Sequence, residues 1–102
     1  MNHINSVILE GVVHTGICNC LFTIASSRYS KVGEDFVEEK TYIDCLVEGK
    51  LFNLAKDKLK QGRGVRVVGY LKEIDGKIGL FAEHIEFKPL EVKEGKYTFK
   101  KD

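Results

Sequence analysis

The sequence predicts a small all-β domain with one helix, its five strands closed into a barrel and the helix set between strands three and four. Three observations predict it. Apolar and polar residues alternate in five separate stretches, and the period changes to helical spacing once, between the third and fourth stretch. An Asp75-Gly76 pair divides the last two stretches and is a strong signal for a two-residue hairpin turn. With 102 residues, 43% of them hydrophobic and 30% charged, the chain suits one domain with one small core.

Strand one is expected over Ile4 to Val13, rich in β-branched and aliphatic residues, with Gly11 where the strand can bend. A short connection follows around His14 to Gly16. Strand two runs from Cys18 to Tyr29, with Cys20, Phe22 and Ile24 on one face and Leu21, Thr23 and Ala25 on the other. Ser30 to Glu39 holds Gly33 and an acidic cluster, has little apolar content, and reads as an exposed loop. Strand three spans Lys40 to Gly49. There Ile43, Cys45 and Val47 form the expected buried set, and Tyr42, Asp44, Leu46 and Glu48 the opposite one.

In Lys50 to Lys60 the residues Leu51, Leu54, Ala55 and Leu59 recur at helical spacing, and Gly62 is a stop signal. Strand four, Gly64 to Ile74, alternates Val65, Val67, Gly69 and Leu71 against Arg66, Val68, Tyr70 and Lys72. Strand five, Lys77 to Phe87, pairs antiparallel with it, and Pro89 ends the sheet because it has no N–H to donate. Residues 1–89 are expected to form the domain. Leu90 to Asp102 is expected to be either a frayed tail or an extra hairpin turning at Glu94-Gly95. Three strands, a helix and a closing hairpin are the element order of the five-stranded OB barrel. Closure hides the sheet edges and buries every second residue of each strand.

Composition excludes several function classes. No apolar run approaches the roughly 20 residues of a membrane helix, and the first residues lack the pattern of a signal peptide, so a cytoplasmic protein is expected. Cys18, Cys20 and Cys45 are odd in number and are expected to be reduced thiols. A metal site drawing on His14 and these cysteines is disfavoured, because Cys-x-Cys within one strand points its two thiols to opposite faces. Neither His3, His14 nor His84 stands in a nucleophile motif, so no catalytic activity and no cofactor are expected.

The formal net charge is only +1, but the charges segregate. Glu34, Asp35, Glu38 and Glu39 are bunched, whereas Lys50, Lys56, Lys58, Lys60, Arg63, Arg66, Lys72 and Lys77 crowd the second half. On the outward phase of the strands, aromatic residues alternate with cations. Tyr42 and Asp44 belong to strand three, Arg66, Tyr70 and Lys72 to strand four, and Arg28 with Tyr29 to the end of strand two. Flat rings and cations together are what an unpaired nucleic-acid strand requires, since its base faces are free to stack and its backbone is charged.

These residues resemble the bacterial single-stranded DNA-binding protein family. The resemblance is carried by Asn5-Ser6-Val7-Ile8-Leu9-Glu10-Gly11, by Phe22-Thr23-Ile24-Ala25-Ser26-Ser27-Arg28-Tyr29, and by Tyr42-Ile43-Asp44-Cys45-Leu46-Val47-Glu48-Gly49-Lys50-Leu51. It continues through Leu59-Lys60-Gln61-Gly62, Val65-Arg66-Val67-Val68-Gly69-Tyr70-Leu71 and Ala82-Glu83-His84-Ile85-Glu86-Phe87, in the family's order. It implies an OB fold, sequence-tolerant binding of single-stranded DNA in replication, recombination and repair, and a homo-oligomer, usually a tetramer. By position it implies a stacking role for Tyr42, a polar binding-face role for Asp44, outward positions for Tyr70 and Lys72, and contacts from Arg28 and Tyr29 at the exit of strand two.

The chain also departs from the family pattern. It has no tryptophan, and Glu48 stands where the family usually carries an aromatic. The Asp75-Gly76 hairpin is short, the stretch from Glu34 to Glu39 is acidic, and the acidic tip that recruits replication proteins is absent, so such recruitment is not expected. Two further readings stay open: a dimeric adaptor similar to primosomal replication protein N, and an OB module serving protein contacts alone.

Overall fold

The computed structural model describes residues 2–89. The elements are β1 (Val7–Cys18), β2 (Leu21–Val32), β3 (Asp35–Leu46), α1 (Gly49–Ala55), β4 (Gly64–Ile74) and β5 (Lys77–Phe87). They close into a barrel in the order β1-β2-β3-β5-β4, with β4 returning to β1. Every neighbouring pair is antiparallel except β3 and β5, which run parallel through Cys45↔Leu80 and Leu46↔Phe81. The expected five-stranded OB barrel, with its helix between the third and fourth strands, is therefore what the chain forms. The stretch from Leu90 to Asp102 lies outside the described residues.

Alternation fills the barrel. Val13, Phe22, Ile24, Cys45, Val65, Val67, Leu80, Ala82 and Ile85 point inward and are buried, and Ala55 and Leu59 join the cluster from α1 and the turn after it. Burying a side chain such as Phe22 or Ile24 contributes about 1.5–3 kcal/mol. Burial also pushes the Cys45 thiol up to about 12, so it stays protonated.

Several boundaries differ from the expectation. β1 continues through His14 and Gly16 to Cys18, because register shifts between Val13 and Cys18 let it stay paired with β2. The turn then falls at Asn19 and Cys20, whose φ values of 51° and 66° match the left-handed pair of a type I′ hairpin. Cys18 thus ends β1 and Cys20 sits within the turn, so the two do not share one strand and the alternation argument about their faces does not apply. Among the described residues, no three His, Cys, Asp or Glu side chains converge as a metal site.

The stretch expected as a loop is the larger difference. β2 and β3 pair without interruption from Leu21↔Leu46 to Val32↔Asp35, turning at Gly33 and Glu34. β1 accompanies β2 only as far as Val12↔Ala25, so residues 27–40 form a two-stranded arm beyond the barrel wall. Its strands have few buried positions, and cross-strand pairing on a barrel-anchored base holds them instead.

β3 ends at Leu46 and not at Gly49, and α1 is a short helix ending at Ala55 and not at Lys60. Leu59 still reaches the core from the tight turn that follows, where its N–H donates to the Ala55 carbonyl at 3.1 Å. Leu54, expected on the buried helix face, is exposed.

Candidate nucleic-acid interface

The outward phase of the wall follows from the inward one. Phe22·Cys45 and Ile24·Ile43 face the interior, so Thr23·Asp44 and Ala25·Tyr42 face out, as their register pairs require. The Thr23 hydroxyl donates to the Asp44 carboxylate at 3.0 Å, which fixes that acid on the outer face. Tyr42 is 53% exposed and meets the His14 ring at a centroid distance of 4.8 Å and a tilt of 60°. One face of the Tyr42 phenol is thus supported while much of the ring remains open. A recess of about 730 Å³ borders this row through Val12 and Ala25 and has Arg63 on its rim.

On β4 and β5 the two-residue turn at Asp75-Gly76 sets the register, Ile74↔Lys77 leading step by step to Tyr70↔Phe81. Leu80 and Ala82 point inward, so Phe81 points out, directly opposite Tyr70. The two rings stack with centroids 5.1 Å apart and planes 28° from parallel. Lys72 completes the group, its Nζ lying 5.0 Å from the Phe81 centroid. The aromatic pair contributes about 0.5–1.5 kcal/mol beyond its buried area, which holds the rings in place before any ligand arrives. Phe81 was missing from the expected site, although counting back from Asp75-Gly76 places it across from Tyr70.

Gly69 makes this geometry possible. A Cβ there would lie 1.8 Å from the Phe81 carbonyl oxygen, so the β4 backbone passes β5 at a distance only glycine permits. The pairing shifts at the same point, from Val68↔His84 to Gly69↔Ala82, leaving Glu83 unpaired in a bulge.

The remaining expected residues divide. Tyr29, 67% exposed, lies on the outer face of the arm, four pairs beyond the Ala25·Tyr42 pair, and its hydroxyl donates to the Glu38 carboxylate at 3.2 Å. Arg28 pairs with Glu39 and points to the opposite face, so it is not brought together with Tyr29 or Tyr42. Arg66 sits between two acids. Its Nε donates to Glu10 at 2.7 Å and its Nη1 to Glu86 at 3.1 Å, while Lys88 binds the other Glu10 oxygen at 3.1 Å. The Arg66 hydrogen bond, followed by that from Lys88, holds the Glu10 carboxyl below the usual carboxylate range, and Glu10 in turn raises the Arg66 guanidinium. Arg66 is four residues, or about 13 Å, from Tyr70 along β4. Glu48 has left the wall altogether, since it occupies the N-cap position of α1.

A closed five-stranded barrel with one helix and an outer wall of supported aromatic rings defines an OB-fold protein. The particular family follows from comparison with known proteins: the single-strand binding protein family model matches residues 4–76, and the chain belongs to that family. It is 31% identical over 81 residues to the single-stranded DNA-binding protein of Borreliella burgdorferi; the match covers 71% of this chain and 54% of that protein, so it spans about half the relative's length. Two solved structures share the fold. The small single-stranded DNA-binding protein of Streptomyces coelicolor matches with a TM-score of 0.70 at 19% identity, over 86% of this chain and 96% of that one. The Plasmodium falciparum SSB in complex with ssDNA matches with a TM-score of 0.70 at 17% identity, over 87% and 98%.

Proposed function

We propose that this protein binds single-stranded DNA without strong sequence preference, in replication, recombination or repair, through the outer wall of its barrel. The observation that carries the reading is the row of supported rings on that wall: Tyr70 stacked on Phe81 with Lys72 above it, and Tyr42 open beside His14. Each ring offers a flat face to a base, worth about 1–3 kcal/mol per stacked base, and stacking tolerates any base because all have a π-face. Lys72 supplies a phosphate contact, and Asp44, held by Thr23, offers an acceptor to base edges. Tyr29 extends the row. Arg28 and Arg66 are assigned lesser parts, Arg66 because it already binds Glu10 and Glu86, and Arg28 because it lies on the opposite face of the arm from Tyr29.

Family membership supports the same reading, as do the single-stranded DNA-binding relatives named above. The protein works as a binding protein without catalysis, as a homo-oligomer, and inside the cell beside DNA. No helix among the described residues is long and apolar enough to cross a membrane.

The test is a titration of labelled poly-dT against duplex of the same length at low and moderate salt. Preference for the single strand, weakening as salt rises, with quenching of tyrosine fluorescence, is the expected outcome. Equal affinity for both forms, or no binding at low salt, overturns the reading.

A further inference from the structure

Where β1 passes from its partner β4 to β2 it carries one extra residue. Val13 pairs with Ile24 and Thr15 with Thr23, so His14 stands in a bulge. Alternation breaks there: Val13 is buried, whereas His14 and Thr15 are both exposed. The bulge turns the imidazole across β2, whose outward residues at that level are Thr23 and Ala25, toward Tyr42 on β3. The two other histidines are placed differently, His3 ahead of β1 and His84 on β5, 4.0 Å from Glu86. Among the described residues no carboxylate forms an ion pair with His14. On the elements around it, β3 brings Lys40 and Asp44 on either side of Tyr42, and the turn before β4 brings Lys60 and Arg63. That turn is held to β1 by hydrogen bonds from the Gly62 N–H to the Val13 carbonyl at 2.8 Å and from the Val13 N–H to the Arg63 carbonyl at 2.9 Å. β1 itself brings Glu10, four residues back, and Cys18, four residues on. Glu10 is taken by Arg66 and Lys88, and Asp44 holds the Thr23 hydroxyl.

We propose that His14 is the proton-sensitive residue of the wall: neutral, it only braces Tyr42, and protonated, it adds one phosphate contact to the strand stacked there. This rests on the proposed function of the wall and adds its regulation. Histidine is the side chain that ordinarily changes charge between pH 5 and 8, whereas lysine and arginine stay charged throughout that range. A base stacked on the open face of Tyr42 brings its phosphates past the rim of the ring, and a phosphate beside the imidazole favours the charged form. With no carboxylate engaging it, the imidazolium takes the phosphate as its partner. The coupling is reciprocal: the strand draws a proton onto His14, and lower pH tightens the strand.

The experiment titrates oligo-dT of about 16 nucleotides, the upper end of the range for one OB fold, over a series of salt concentrations at about pH 5.5 and about pH 8. Thymine and phosphodiester groups keep their charge between these values, so a response belongs to the protein. The unmodified protein is expected to bind about 5-fold or more tightly at the lower pH, with a salt slope steeper by about 0.7, the share of one phosphate on a single strand. His14→Gln should lose both changes. His14→Lys should show the steeper slope at both pH values, and His84→Gln should respond as the unmodified protein does. A residue that only braced Tyr42 would leave the slope the same at the two pH values. A response that survives in His14→Gln or disappears in His84→Gln overturns the assignment to His14, as does pH-independent binding by the unmodified protein, and each of these spares the wall. Failure of the unmodified protein to bind at either pH removes both readings.

Discussion

Tyr70 and Phe81 face one another across β4 and β5, stacked at 5.1 Å on the outside of the barrel, with the Lys72 ammonium 5.0 Å from the Phe81 ring. Two rings that support each other do not act independently. Tyr70→Ala and Phe81→Ala are each expected to weaken binding to poly-dT by about 1–3 kcal/mol. The double variant should lose less than the sum, with coupling of about 0.5–3 kcal/mol, whereas Tyr42→Ala, set apart on β3, should add to either. Fluorescence titration of the three single and two double variants measures this. Strict additivity between Tyr70 and Phe81 would show that the pair does not share a ligand.

Arg66 is expected to matter more for the barrel than for DNA. Its guanidinium joins Glu10 on β1 to Glu86 on β5 across β4. Arg66→Ala should therefore lower the denaturation midpoint and leave the salt slope of binding nearly unchanged, while Lys72→Ala should reduce that slope by about one contact. The same cluster gives a pH signature. Because Arg66 and Lys88 hold the folded Glu10 carboxyl below its ordinary value, its contribution is complete at neutral pH and disappears as pH falls below the usual glutamate range of about 4.3. Stability curves of the unmodified protein and Glu10→Gln should differ at pH 7 and converge in acid.

Gly69→Ala is expected to destabilise strongly. The new methyl group would overlap the Phe81 carbonyl oxygen, which is backbone and cannot swing aside. The cost should reach or exceed the upper end of the about 1–3 kcal/mol typical of overpacking. Urea denaturation reads it, and a change under about 0.5 kcal/mol would mean that the two strands are more widely spaced than described.

The thiols should separate cleanly. Cys18 is exposed and Cys45 is buried, with its ionisation pushed up to about 12. A thiol reagent is expected to label Cys18 in the native protein and Cys45 only on unfolding, since the thiolate is the reactive form. Mass spectrometry of digested, partly labelled protein distinguishes the two.

Much of the barrel was legible because burial alternates where strands face a core. Cys45 with Val47 belongs to the expected buried set of the third strand, Val65 with Val67 lies opposite the outward Arg66 and Tyr70, and Phe22 and Ile24 share one face by phase; all six are buried. The arm was not legible by that signal. Val32, Phe36 and Val37 are exposed, so no core imposes alternation on Ser30 to Glu39, and only pairing with β2 reveals a strand there. Leu54 misled for the opposite reason: its spacing suits a helix face, but α1 ends at Ala55 and leaves it in solvent. On the wall, Tyr42 and Tyr70 could be placed by phase, whereas the engagement of Arg66 depends on Glu10, 56 residues earlier. No local pattern carries that information.

Closure of the cylinder joins distant parts of the chain, Val7 with Gly69 and Val12 with Gly64. During synthesis at about 5–20 residues per second, the first strand leaves the ribosome about 3–10 s before its second neighbour exists. The hairpin of β2 and β3 needs no such wait and can zip within about 1–10 μs. Pulse-labelled hydrogen exchange should accordingly find amides of residues 21–46 protected before the β1–β4 seam. The nascent first strand, with one open edge and Ile8 outward, is the segment for which a chaperone would be most useful.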